Sequence, residues 1–418
     1  MAAKPKAKRK PAPQGKAKSK GKPPATAAAR RIRRFFTTVT VFSIIIVLFF
    51  WLVPTMAERA MNRIEGSGLW RVSEEAQALH NEVIVADLHA DTLLWRRNPS
   101  ERSARGHVDL QRLRDGNVAL QVFGSVTKTP RGQNYESNSA DTDNITPLSV
   151  AQLQPIRTWD SLLQRSLYHA EKLADAAQEE PGGFLLIRTN ADLDLLLAQR
   201  ARGQQVVGAL LGVEGLHNLE GRIDNLDRLF DAGYRMASLT HFFDNDLAGS
   251  MHGVDKGGLT PMGRQAVRRM EQSGMLVDVA HLSHMALADL IEMAERPLIS
   301  SHGGVRATCA ENRNLSDPEI RGIAATGGLI GIGFWDGAVC APTPAATARA
   351  MRHVRDLVGI EHVALGSDFD GAVTTGFDAS GMAAMTQALL DQGFSEDEVR
   401  AAMGGNVIRL FSRTLPRD

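Results

Sequence analysis

The sequence predicts an α/β protein, a closed (β/α)8 TIM-type barrel preceded by a disordered basic tail and one transmembrane helix. Three observations carry that prediction. Eight short apolar, β-branched runs recur between residues 83 and 370, stretches with helical spacing separate them, and one charge-free apolar segment stands near the N-terminus. Strand and helix patterns in alternation specify a parallel sheet, and eight units in about 330 residues favour a closed barrel over an open doubly wound sheet.

The N-terminal elements come first. Residues 1–34 hold 13 of the 48 Lys and Arg and no Asp or Glu, so the rest of the chain carries 35 basic against 47 acidic residues, a formal net of −12. That tail has almost no large apolar side chains and cannot bury enough surface to offset the entropy of ordering, so it is expected to be disordered. Residues 35–54, F-F-T-T-V-T-V-F-S-I-I-I-V-L-F-F-W-L-V-P, contain no charge and, as a helix, span a hydrocarbon core of roughly 30 Å. A cleaved signal peptide is the competing reading. It would have a shorter apolar part and a small-x-small site, whereas Phe49, Phe50 and Trp51 crowd this end. The positive charges before the segment predict a cytoplasmic N-terminus with everything after Pro54 outside the cytoplasm, and 55–74 are expected to be a linker to the barrel domain over 75–418. The tail is read as an orientation signal and a contact for anionic lipid, with no nucleic-acid partner. No hydrophobic tail follows Phe411, so a lipid anchor at that end is not expected.

The predicted strands are 83–89, 118–124, 206–214, 235–241, 275–281, 297–302, 329–335 and 363–370. Helical spacing marks 223–232, 261–273, 285–294, 318–325 and 347–358, with closing helices over 395–411. Residues 125–160 are polar, weakly periodic and rich in turn formers, and read as a long loop over the barrel mouth. No G-x-G-x-x-G follows the first strand and no phosphate-binding G-x-x-x-x-G-K-[ST] occurs, which argues against a nucleotide site.

Active sites of such barrels occupy the C-terminal ends of the strands. Here His89 and Asp91 end strand 1, Glu214 strand 3, His241 strand 4, His281 strand 5, His302 strand 6, and Asp368 with Asp370 strand 8. In extended backbone Asp87, His89 and Asp91 share one face. Asp87 lies deeper in the strand and is read as supporting a ligand, and Asp370 as orienting its neighbours. A single strand-end His is usually a hydrogen-bonded rim residue. Four of them with four carboxylates at equivalent positions make a metal centre. Imidazoles and carboxylates without thiolates suit Zn²⁺, with Mn²⁺, Co²⁺ or Fe²⁺ as competitors. The ligand count exceeds what one tetrahedral ion needs, so two ions sharing a carboxylate and a water are expected, and with them hydrolysis of an amide-like bond. Cys309 and Cys340 are too few for a thiolate zinc site, and in an oxidising compartment they can form one bridge.

D-L-H-A-D-T-L-L-W (87–95), G-V-E-G (212–215), S-L-T-H (238–241), V-D-V-A-H-L-S (277–283), I-S-S-H (299–302), R-N-L-S-D (313–317) and G-S-D-F-D-G (366–371), in this order, resemble the membrane (renal-type) dipeptidases. These are binuclear-zinc metallopeptidases of the amidohydrolase-like barrel superfamily, and the resemblance covers roughly residues 75–412. It implies that His89 and Asp91 hold the first zinc, that Glu214 bridges both, and that His281 and His302 hold the second. His241 is then the contact of the scissile carbonyl or oxyanion, and Arg313 grips the free carboxylate of a dipeptide. Asp368 becomes the acid/base that takes a proton from the metal-bridging water and passes it to the leaving amine. A guanidinium suits carboxylate recognition and a carboxylate suits proton transfer independently of the family. Without the family, the alternative for Arg313 is a rim salt bridge to Asp317.

The chain departs from the family pattern in two places. A tyrosine-bearing segment follows strand 7 in the mammalian members, where this chain reads G-F-W-D-G-A-V-C (333–340), and their C-terminal lipid anchor is replaced here by residues 35–54. Cys309 and Cys340 stand where those relatives carry a bridged pair. The expectation is a single-pass protein of a bacterial inner membrane, its dipeptidase domain in the periplasm, hydrolysing small dipeptides, D-configured or dehydro C-terminal residues among them, as a monomer or a homodimer. The alternatives are another binuclear amidohydrolase of lactonase or deaminase type, or an inactive membrane-anchored scaffold. The first usually carries H-x-H on strand 1 and often a bridging carboxylated Lys, and here the pair is His89 and Asp91 and no strand ends in Lys.

Overall fold

Eight parallel strands close on themselves in chain order. A computed structural model describes residues 1–5, 7, 8, 10, 12, 15, 26–66 and 70–417. In it the barrel strands are β1 (Val85–Ala90), β2 (Val118–Val126), β3 (Val207–Glu214), β4 (Tyr234–Ser238), β5 (Leu276–Asp278), β6 (Ile299–Ser300), β7 (Leu329–Ile332) and β8 (Val363–Leu365). Each pairs with the next, and Leu365 of β8 pairs with Asp87 of β1 to complete the ring. A short extra strand, Phe184–Leu186, lies along the start of β3.

One apolar cluster draws on all eight strands and is therefore the barrel's interior: Leu88, Leu120, Val122, Leu210, Met236, Leu276, Ile299, Leu329 and Ala364. Val407, Leu410 and Phe411 of the last helix, Asn406–Thr414, join this cluster and plug the end opposite the site. A larger cluster fills the shell between strands and helices. The predicted helices appear as Asn225–Asp231, Pro261–Ser273, His284–Met293, Asp317–Ala325 and Pro344–Val358. Local chemistry sets their starts. Thr260 and Thr343 cap helices with Pro at the first turn, Ser283 caps the third, and Ser316 with Glu319 forms a capping box.

The chain divides into two compact units, Met1–Phe49 and Phe50–Asp418. Of the expected disordered tail, residues 6, 9, 11, 13, 14 and 16–25 lie outside the described residues, and its last part differs from expectation. The apolar helix runs from Ala27 to Met61 in place of 35–54. Ala27 to Arg34 are strong helix formers, and Thr26 Oγ1 accepts the Ala29 N–H at 3.3 Å, so helix formation starts before the charge-free stretch. Among the described residues this is the one helix long and apolar enough to cross a membrane. The expected linker over 55–74 is also structured in part: 55–61 continue the helix, and Arg63–Ile64 pair in parallel with Thr374–Thr375. Nothing in T-M-A-E-R-A-M breaks a helix, and composition alone does not reveal the pairing that follows.

Candidate metal centre

The chemistry gathers just past the strand ends. Glu214 is the last residue of β3, while His241, His281, His302 and Asp368 lie two or three residues beyond β4, β5, β6 and β8. His281 and Asp368 have left-handed backbone, with φ 65° and 59°, which turns each side chain from its strand direction back over the barrel axis. The shared face expected for Asp87, His89 and Asp91 fails for Asp87. A β-bulge between Asp87 and Ala90 interrupts the alternation, so His89 and Asp91 join the centre while Asp87 does not.

Glu214 is the hub. Its Oε1 lies 2.8 Å from His281 Nε2, 3.3 Å from His302 Nε2 and 3.5 Å from His241 Nε2, and its Oε2 lies 3.7 Å from His89 Nε2. His89 Nε2 is 3.3 Å from Asp91 Oδ1. Three overlapping sets of ligand atoms, each mutually within 4.8 Å, result: His89, Glu214 and His302; Glu214, His241 and His281; His89, Asp91 and Asp368. All are buried, yet His89 Nε2, Asp91 Oδ1 and Glu214 Oε2 have no hydrogen-bond partner. Buried donors and acceptors are almost always paired, so lone pairs left open toward one point fit a cation. Gly124 of β2 leaves the room. A Cβ there would stand 2.4 Å from Asp91 Oδ1 and 3.0 Å from His89 Cε1.

Two buried serine–carboxylate relays hold the ligand-bearing loops. Asp278 accepts from Ser301 N at 2.9 Å and Ser301 Oγ at 2.6 Å, and Ser301 Oγ also meets His302 Nδ1 at 2.8 Å, fixing that ring. Asp87 accepts from Ser367 N, Ser367 Oγ and Gln121 Nε2 at 2.7, 2.6 and 2.8 Å, which fixes the residue before Asp368. Asp87 thus supports the site, as its depth in the strand suggested. Asp370 likewise orients its neighbours, accepting from Thr92 Oγ1 and His107 N and pairing with Arg97.

Arg313 is buried, donates to His302 O at 3.1 Å and lies 5.1 Å over the Trp335 ring, with no carboxylate within 4 Å among the described residues. Asp317, its alternative partner, pairs with His353 instead. A buried guanidinium without a counter-ion beside a cluster of ligands suits an incoming carboxylate. The stretch expected as a loop over 125–160 is structured in part, with 125–126 ending β2 and a helix over Ile145–Ala151, and its segment around Tyr135 closes over this side. Tyr135 OH accepts from Trp335 Nε1 at 2.9 Å, its ring stacks near Phe242 and His252, and Asn312 Nδ2 donates to Tyr135 O at 2.6 Å.

Burial governs the titration of the centre. It pushes Asp368 well above the usual carboxylate range, with Asp91 and Glu214 adding to the push against the pull of His89 and Arg313. Asp91 is raised to about 6 by burial and the Glu214 charge. Glu214 resists burial because His241 and His89 attract its charge and His281 and His302 hydrogen-bond it, leaving it well below its ordinary value. Burial keeps His281 and His302 far below theirs, as neutral imidazoles fit to ligate.

The profile of the membrane dipeptidase family, peptidase family M19, matches residues 73–415. The chain belongs to that family. It is a metallo-dipeptidase. An uncharacterised dipeptidase of Schizosaccharomyces pombe is 26% identical over 370 residues, covering 84% of this dipeptidase and 85% of that protein. A second from the same yeast is 26% identical over 329 residues, covering 75% and 74%. The probable dipeptidase PvdM from Pseudomonas aeruginosa superposes with TM-score 0.69 at 18% identity over 82% of the dipeptidase and 98% of PvdM. A metallo peptidase from Rhodobacter sphaeroides, liganded with a phosphinate mimic of the dipeptide L-Ala-D-Ala, superposes with TM-score 0.64 at 23% identity over 79% and 99%. Both neighbours share the barrel fold.

Every site residue expected from the sequence lies in or against this cluster. Sequence reasoning missed Tyr135, whose hydroxyl meets Trp335 Nε1. It also missed Gly124 and the two serine relays. Gly124 lies in a strand pattern, where glycine marks a close approach, and that signal was present. Tyr135 sits in a loop without periodicity and gave none. The Cys309–Cys340 bridge is formed, with Cα atoms 5.4 Å apart.

Proposed function

We propose that this dipeptidase is a membrane-anchored dizinc enzyme that hydrolyses small dipeptides bearing a free C-terminal carboxylate, with its barrel outside the cytoplasm. The observation that carries the reading is the convergence of His89, His281 and His302 on the two oxygens of Glu214, with Asp91 against His89, while His89 Nε2, Asp91 Oδ1 and Glu214 Oε2 have no hydrogen-bond partner. Zinc fits this all-nitrogen-and-oxygen set, with Mn²⁺, Co²⁺ or Fe²⁺ as competitors. Ions held by His89, Asp91 and Glu214 and by Glu214, His281 and His302 would polarise the scissile carbonyl and acidify a water.

The chain's own groups do the rest. Arg313 binds the C-terminal carboxylate as a planar fork and so fixes the register of the dipeptide. His241, beside Glu214 Oε1, contacts the carbonyl oxygen as charge develops on it. Asp368 takes the proton of the attacking water and delivers it to the leaving amine, and burial suits it to hold that proton between the two steps. Tyr135, Phe242 and Trp335 bound the space for the substrate's side chains, and the mimic bound by the Rhodobacter relative motivates L,D-dipeptides in the panel. The formed disulfide agrees with an oxidising compartment.

The test is full-length protein in detergent, measured for metal per chain and assayed on L,L- and L,D-dipeptides. Two ions per chain and turnover are expected, and a metal-free chain or one inert with zinc present overturns the reading. Asp368→Asn should keep its metal and lose kcat by about 100-fold or more. Unchanged turnover removes its assigned role. A reporter fused to the C-terminus reads the topology, and cytoplasmic signal would refute the export of the barrel.

A further inference from the structure

The loop that carries Asp368 is strained and needs support. Asp368, Asp370 and Ala372 alternate through it with φ 59°, 64° and 61°, a conformation that residues with a Cβ hold only when their surroundings over-determine it. Part of that support comes from residues 58–65, the last turn of the N-terminal helix and the four residues after it. Glu58, 1% exposed, accepts from Arg97 Nε at 2.6 Å and pairs through its other oxygen with Arg105. Arg97 in turn pairs with Asp370, and its remaining amino group reaches Val108 O. Asn62 Oδ1 accepts from Ala372 N at 2.9 Å. Arg63 N donates to Val373 O and Glu65 N to Thr375 O, at 3.2 and 2.8 Å, in the parallel pairing of the two short strands. Finally, His107 bridges the two segments, its Nδ1 accepting from Asp370 N and its Nε2 meeting Arg63 O.

The chain has been shaped to admit this arrangement. Gly106, at φ 75°, lets the Arg97 guanidinium pass where a Cβ would stand 2.4 Å from Nη2. Glu58 bridges the two guanidiniums; without it Arg97 keeps only Asp370 and Arg105 has no carboxylate within 4 Å among the described residues, which leaves surplus positive charge beside the loop. The family profile begins at residue 73, so this brace precedes the part of the chain that the family shares.

We propose that residues 58–65 are the positioning brace of the Asp368 loop, and that Glu58, acting through Arg97 and Asp370, sets the geometry of proton transfer. The catalytic part of this proposal rests on the reading of Asp368 given above. Glu58 is a positioning residue, since it touches neither ligands nor substrate. The end of the apolar helix thereby becomes a working part of the enzyme as well as a tether.

The experiment uses the full chain in detergent, with Glu58→Ala, Glu58→Asp and Asn62→Ala. Glu58→Ala should lower kcat about tenfold with KM and metal per chain unchanged, shift the limb of the kcat–pH profile, and speed deuterium exchange at amides 366–377 but not in the other strand-end loops. Glu58→Asp should recover part of the kcat. Unchanged kcat and pH profile in a folded Glu58→Ala overturn the proposal, as does a loss of metal with KM and kcat moving together, which would mean a merely structural role. If Glu58→Ala does not fold, Asn62→Ala, which removes one hydrogen bond to the loop, decides by the same readouts. A wild-type chain inert on every dipeptide would sink the dipeptidase reading alone, and exchange at 366–377 would then decide whether the brace exists.

Discussion

At the scale of single residues the site depends on space and on fork geometry. Gly124→Ala would put a methyl group 2.4 Å from Asp91 Oδ1. Displacing a ligand this way should weaken metal binding about 10- to 100-fold, the range seen when ligand orientation is disturbed, while leaving circular dichroism unchanged. Competition with a chelator measures it. Arg313→Lys keeps the charge and loses the planar pair of donors, so KM for dipeptides should rise about tenfold with kcat changed little. Steady-state kinetics on one good substrate check it, and an unchanged KM would remove Arg313 from carboxylate recognition.

At the scale of elements the Cys309–Cys340 bridge joins the loop after β6, which bears Arg313, to the residue capping the helix Asp336–Val339. Opening it frees a loop of 31 residues, a loss of about 2–4 kcal/mol of stability. Reductant should therefore lower the urea midpoint, and because Arg313 rides on the same loop it should raise KM more than it lowers kcat. The strands themselves were legible in the sequence. Apolar, β-branched runs ending in charged groups have few other uses, and each of the eight appears within a few residues of its expected place. Their ends were less so. His281 and Asp368 reach the centre through left-handed backbone beyond the strand, and the bulge in β1 separates Asp87 from His89. Both are set by contacts across the barrel that no local pattern encodes.

At the scale of the whole molecule, polar groups sealed among the packed elements link stability to pH. His169, between the helix Leu162–Glu179 and β2, meets Ser125 Oγ at 2.9 Å and is lowered to about 3 by burial, with Lys172 and Arg165 adding to the effect. Its folded value lies below the unfolded 6.5, so the unfolded chain takes the proton first. This contribution is intact above pH 6.5 and is lost as pH falls, by about 2 kcal/mol at pH 5. Urea midpoints at pH 7 and 5 should differ less in His169→Gln than in the wild type. A difference of the same size would exclude His169 as the source. The organisation of the whole was legible at its two extremes, the apolar helix and the barrel. What joins them was not, because an acidic residue after an apolar run reads as solvated linker, and only the fold brings Arg97 and Arg105 to Glu58.

The centre is drawn from positions as far apart as His89 and Asp368, two from the end of β1 and one from each of five other strand ends. No fragment of the nascent chain possesses it. A growing or translocating polypeptide has nothing to hand an ion to until β8 has closed on β1, and this set of ligands does not discriminate sharply among first-row ions by affinity. On the proposed two-ion reading the ion is chosen where the ring closes, and a chain made to fold in another compartment should carry a different ion, which metal analysis of the purified protein reads.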